Sequence, residues 1–147
     1  MHILVIGAGG MLGAKLLARL GHEGKLGGKA IARVTRYDAV IPPPPPASNY
    51  PVETFVGDLS AAGEAEKLIA GKPDVIFHLA AIVSGEAEKD FEKGYRINLD
   101  ATRILFEVIR KVGGGYKPKV IFTSSIAVFG APFPDAIGDE FFTTPLT

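Results

Sequence analysis

Ile3-Leu4-Val5-Ile6 runs without a break into Gly7-Ala8-Gly9-Gly10-Met11-Leu12-Gly13, and the reading of this stretch decides the fold. Four consecutive aliphatic residues suit a strand buried on both faces, the habit of a parallel sheet covered by helices. The glycines fall where such a strand turns into a helix. Gly7 permits a tight turn, Gly10 leaves the main chain open to a pyrophosphate, and Gly13 lets the helix pack close to the strand. The first amides of that helix, at Met11 and Leu12, have no internal partners and carry the positive end of its dipole, which suits a phosphate. The apolar residues Leu12, Leu16, Leu17 and Leu20 predict a helix over residues 11–20, so the glycines stand in the strand-to-helix context that the motif requires.

Working outward, 147 residues make one domain, long enough to bury roughly 70% of the unfolded surface. The 16 basic and 16 acidic side chains cancel and form no basic stripe, which argues against nucleic acid as a partner. There are no cysteines, and the histidines, His2, His22 and His78, are not at ligand spacing, so no metal site is expected. No apolar stretch reaches the length of a membrane span, and no cleavable leader precedes the first strand. A soluble, cytoplasmic protein is the expectation.

Beyond the first helix, residues 21–28 read as a flexible, glycine-rich connection and residues 30–37 as the second strand, ending in Asp38. An acidic residue at that strand end is the expected partner of the adenosine ribose hydroxyls. Its charge would also repel a 2′-phosphate by a few kcal/mol at an effective dielectric of about 20. NAD is therefore expected over NADP, with Arg36, two residues earlier, placed to offset the preference by contacting a phosphate. The five prolines at 42–46 predict a stiff surface segment, a spacer between strands. Residues 52–56 form the next strand, and Asp58-Leu59 follow it; Asp58 either reaches an adenine or starts the helix expected over residues 60–70.

The fourth strand, residues 74–79, leads into Leu79-Ala80-Ala81, where small side chains let a flat cofactor lie against the backbone. His78 reads as a core residue. Ser84 and Gly85 are expected in a loop on the same side of the sheet. The longest helix is expected over residues 86–112. On it Phe91, Tyr95, Asn98, Ala101, Leu105, Val108 and Val112 recur at steps of three and four, so Asn98 lies on the apolar seam and needs a partner. The fifth strand, residues 119–123, delivers Ser124 and Ser125 to its carboxyl end, where ligands bind in open α/β sheets. Strand and helix alternate throughout, which predicts a doubly wound, three-layer Rossmann-type α/β domain with strand order 3-2-1-4-5.

Gly7-x-x-Gly10-x-x-Gly13, Asp38, Asp58-Leu59, His78-Leu79-Ala80-Ala81, Asn98 and Ser125-Ile126-Ala127-Val128-Phe129-Gly130 occur in order along the chain. Together they resemble the extended short-chain dehydrogenase/reductases, also called NAD-dependent epimerase/dehydratases. The resemblance implies NAD held by the glycine turn, by Asp38, Asp58 and Leu59, and by Leu79, Ala80, Ala81 and Asn98. It implies Ser125, five positions before Gly130, as the catalytic serine, with Ser84 and Ser125 meeting the substrate. Residues 83–88 and 91–96 are most similar to a branch of the family that oxidises a four-carbon sugar acid. Two departures stand out. Ala101 replaces the usual glycine, and no tyrosine has a lysine four residues on, so the family's proton-transfer pair is absent. The chain is accordingly expected to be the dinucleotide-binding part of a longer oxidoreductase acting on a small sugar acid, inactive alone, with a homodimer left open. A nucleotide-sugar epimerase or dehydratase, or a module that binds a dinucleotide without turnover, are the alternatives.

Overall fold

A computed structural model describes residues 1–130 and 132–145. Its centre is β1 (His2–Ile6), whose residues Ile3, Leu4, Val5 and Ile6 are no more than 1% exposed. Alternation sends Leu4 and Ile6 into one apolar cluster and Ile3 and Val5 into another on the opposite face. That two-sided burial is why β1 reads as an unbroken apolar run. β1 pairs in parallel with β4 (Arg33–Asp38) on one side and β6 (Val75–His78) on the other. β5 (Val52–Val56) and β7 (Lys119–Phe122) complete the sheet, in the order β5-β4-β1-β6-β7. Numbering these five strands consecutively gives 3-2-1-4-5, as the alternation of elements predicts. α1 (Met11–Glu23) covers the Ile3/Val5 face. α2 (Glu64–Ala70) and α5 (Ala101–Val112) cover the other, through Leu68, Ile69, Leu105 and Val108.

Several boundaries differ from the sequence expectation. α1 runs one turn past Leu20 and ends where Gly24, at φ 64°, donates its amide to the Leu20 carbonyl at 2.9 Å. The expected flexible connection is a small antiparallel hairpin, β2 (Lys25–Leu26) with β3 (Lys29–Ala30), so the second sheet strand begins only at Arg33. The helix expected over residues 60–70 starts at Glu64, because Asp58 first folds a turn by accepting from the amide and hydroxyl of Ser60. Ser84 is not in a loop but opens α3 (Ser84–Lys89).

The long helix expected over residues 86–112 is broken. Asp90 leaves helical angles (φ −139°, ψ 85°) and its carboxylate caps the Lys93 amide at the start of α4 (Phe91–Gly94). A π-helical turn over Tyr95–Asp100 joins α4 to α5. The extra residue of that turn ends the apolar register: Phe91 and Tyr95 are exposed, whereas Ala101, Leu105 and Val108 are buried. The proline run lies at the surface as expected, with residues 43–45 exposed, but Pro42 is buried, and Pro46 and Ala47 lie against Gly21 of α1.

Candidate functional site

The glycine turn lies between β1 and β6, where the strand order reverses. Gly7 has φ 88°, and a Cβ there would stand 2.6 Å from the Ala80 amide nitrogen; only glycine fits. A Cβ at Gly13 would approach the Gly7 carbonyl oxygen to 2.2 Å, so α1 rests directly on the turn. Gly10 differs, because its nearest neighbour would be 3.5 Å away and the space above it is open. Met11 and Leu12 are exposed at the head of α1, and among the described residues no acceptor takes their amides. The first turn of α1 holds no acidic side chain. Open approach at Gly10 and free amides behind it are the features that suit a pyrophosphate.

Asp38 ends β4 with its carboxylate against the turn, accepting from the Gly9 amide at 2.7 Å. Beside it a cleft of about 210 Å³ is lined by Ile6, Asp38, Asp58, Leu59, Ala80, Arg96, Ile97 and Ala101. The structure thus brings Asp38, Asp58, Leu59 and Ala80 to one cavity. Leu79 instead packs into the α1-side core, and Ala81 is exposed just beyond Ala80. Asn98 is exposed rather than seated on an apolar seam, yet it does tie its helix to the strand exit. Its Oδ1 accepts from the Ile82 amide at 2.9 Å, and its Nδ2 donates to the Ile82 carbonyl at 3.1 Å.

Two lining groups, Arg96 and Lys93, were not among the expected site residues, although both lie in the 91–96 stretch that carries the resemblance. Arg96 pairs with the Asp58 carboxylate and donates to the Ser60 hydroxyl at 2.9 Å, and Lys93 stands near it on the same wall. A pair 38 positions apart leaves no periodic trace. Burial raises the Asp58 carboxyl, but the two bonds from Ser60 and the Arg96 guanidinium outweigh it and hold the group below its ordinary range. His78 is buried, as expected of a core residue, on the inner wall of the cleft. The Thr102 hydroxyl donates to the Asn98 carbonyl at 3.1 Å, so it receives the His78 Nε2 proton at 2.9 Å. Nδ1 is then the bare nitrogen, without a partner among the described residues, and burial lowers the pKa of the ring.

Ser125 stands just past β7 at the carboxyl edge of the sheet, exposed, with its hydroxyl accepting from the Ala127 amide at 3.2 Å. It does not line the cleft. Ser84 does not either; it borders a shallow groove with Phe91, Tyr95 and Leu99. Among the described residues no helix is long and apolar enough to cross a membrane.

Residues 3–146 match the family model described as "NAD dependent epimerase/dehydratase family". The chain belongs to this family. NAD is the family's cofactor, and the open Gly10, the free amides and the Asp38 carboxylate fit it. The D-erythronate dehydrogenase of Cupriavidus necator is 40% identical over 144 residues, covering 95% of this chain and 43% of that protein. The D-erythronate dehydrogenase of Haemophilus influenzae is 35% identical, covering 99% of this chain and 44% of its own length. Among solved structures, one described as a nucleoside-diphosphate-sugar epimerase from Agrobacterium tumefaciens is 61% identical with TM-score 0.92, covering 99% of this chain and 43% of that one. The chain therefore spans less than half the length of these family members.

Proposed function

We propose that this chain is the cofactor-holding part of an NAD-dependent oxidoreductase that oxidises a hydroxyl of a small sugar acid such as D-erythronate. The observation that carries the reading is the convergence of the Gly7–Gly10–Gly13 turn, Asp38 and the Asp58/Leu59/Ala80 cleft at the carboxyl edge of one parallel sheet. The two dehydrogenases similar to it supply the substrate class. In this reading the turn and the amides of Met11 and Leu12 hold the pyrophosphate, and Asp38 bonds the adenosine ribose. Asp58, Leu59 and Ala80 receive the base. Asn98, by fixing Ile82, positions the Leu79–Ala81 backbone along the cofactor. Bound NAD supplies the acceptor for hydride. Ser125 holds the substrate hydroxyl and donates to the oxygen on which charge develops, and Ser84 contacts the rest of the acid.

None of Tyr37, Tyr50, Tyr95 or Tyr116 is followed by lysine at the fourth position, so these residues supply no tyrosine–lysine pair to take the hydroxyl proton. General-base catalysis contributes about 10²–10⁴-fold. The 147-residue chain should accordingly bind NADH without turning over sugar acids.

A second reading, interconversion of nucleotide sugars, is favoured by the 61% identity to the structure described as an epimerase. Expression of the complete open reading frame separates them. NAD reduction with four-carbon sugar acids is the expected result. Turnover of UDP-sugars with no net NADH and no oxidation of sugar acids would replace the first reading by the second.

A further inference from the structure

Residues 39–51 leave β4 and cross the α1 face of the sheet before β5 begins. Pro42 is buried next to Gly9, while Pro46 and the Ala47 carbonyl lie against Gly21 of α1. Under this strap is a cleft of about 210 Å³ lined by Ala8, Leu17, Arg36, Pro43 and Pro46. Arg36 is only 4% exposed. Its Nε and Nη2 donate to the Thr54 hydroxyl at 3.1 and 2.7 Å, and its Nη1 donates to the Pro43 carbonyl at 2.7 Å. Both acceptors are neutral, and among the described residues no carboxylate pairs with the guanidinium. A cation taken out of water with no counter-charge is an expensive arrangement, and burial lowers its pKa.

Alternation along β4 puts Arg36 and Asp38 on the same face, about 7 Å apart along the strand. The two residues have opposite consequences in a dinucleotide site. A carboxylate bonds the 2′-hydroxyl of NAD, whereas a nearby arginine accommodates the 2′-phosphate of NADP. This chain carries both, and the strap engages one of them. Consecutive prolines form a stiff segment with no amide protons, so their carbonyls stay free to accept and stay in place.

We propose that the proline strap is a cofactor-selectivity element: by holding Arg36 through the Pro43 carbonyl it withholds a guanidinium from the ribose site and leaves Asp38 to select NAD. The inference rests on Asp38 facing the adenosine ribose. The test is equilibrium titration of the full chain with NADH and NADPH by cofactor fluorescence. Replacing residues 42–46 by a glycine–serine segment of equal length should raise NADPH affinity relative to NADH by about tenfold, the worth of one charge-assisted contact to phosphate. Adding Arg36→Gln to that variant should return the ratio to its starting value, and Arg36→Gln alone should leave it unchanged. Thr54→Val keeps the strap, removes two of the three bonds, and should move the ratio in the same direction by less. The proposal is overturned if the strap replacement and Thr54→Val both leave the ratio unchanged, or if the rise persists without Arg36. Asp38→Asn checks the underlying reading separately: if it does not narrow the preference for NADH, Asp38 is not at the ribose.

Discussion

A methyl group on Gly13 would meet the Gly7 carbonyl oxygen at 2.2 Å and the Ala8 Cα at 2.8 Å, both backbone atoms of the turn. Neither can swing aside like a side chain, so Gly13→Ala should destabilise the fold by about 2 kcal/mol through overpacking. Gly10→Val meets no such wall. It should cost about 1 kcal/mol or less of stability at this helix start, while weakening NADH binding by tenfold or more. Urea midpoints and NADH titrations of the two variants check this; equal losses of binding and stability in both would refute the separate roles. Ser125 and Ser124 form a second contrast. Losing one donor to developing charge lowers rates about 10²–10³-fold. In the protein from the complete reading frame, Ser125→Ala should therefore depress kcat to that extent with NAD affinity nearly unchanged, and Ser124→Ala should do far less. A worse lesion at Ser124 would move the catalytic assignment to that residue.

Between the buried part of α5 and the exposed α4, the π-helical turn carries Asn98 and Arg96 to the cleft side of the sheet. A continuous α-helix would keep Asn98 in register with Leu105; the extra residue turns it toward the backbone that leaves β6. Its two bonds to Ile82 do different things, since Oδ1 protects the Ile82 amide while Nδ2 satisfies the carbonyl. Asn98→Ala should speed hydrogen exchange of the Ile82 amide by about five- to tenfold, the worth of roughly one hydrogen bond. Asn98→Asp retains the acceptor and should leave that amide protected. Equal acceleration in both variants would show that the side chain acts through packing instead.

Two histidines on the β1/β6 pair couple the stability of the whole molecule to pH. His2 is buried with Nδ1 donating to the Gly71 carbonyl at 3.2 Å and Nε2 accepting from the Thr35 hydroxyl at 2.9 Å, and His78 is buried as described. Burial lowers both below the ordinary value of 6.5. Above that pH both rings are neutral folded and unfolded, and they do not bias the equilibrium. As pH falls below 6.5 toward the lowered folded values, the unfolded chain takes up protons that the folded chain refuses, so stability is lost. Each histidine contributes a slope of up to about 1.4 kcal/mol per pH unit in that window. Asp58 and Glu64, whose pKa values are lowered, lose their contributions only at more acidic pH. Urea unfolding between about pH 7.5 and about pH 5.5 should show the decline, reduced in His78→Gln. A flat profile there would mean that both rings take up protons in the fold as readily as in the unfolded chain.

At this same scale the sequence determined the architecture. An apolar strand buried on both faces, a glycine turn where each glycine excludes or admits particular atoms, and regular alternation leave the 3-2-1-4-5 sheet as the natural arrangement. That Gly10, Asp38, Asp58, Leu59 and Ala80 would gather on one side was legible for that reason: each sits at a strand exit or helix start, and in a parallel sheet all such exits share one edge. Only the tertiary structure decided what those residues touch. Asp58 meets Arg96, Asn98 is solvent-facing yet bonded to Ile82, and Arg36 is held beneath the prolines. The break at Asp90 and the π-helical turn were equally out of reach, because the steps of three and four from Phe91 to Val112 fit one straight helix. Periodicity records which face of an element is apolar, and it holds no record of which distant backbone or charge a polar side chain will find.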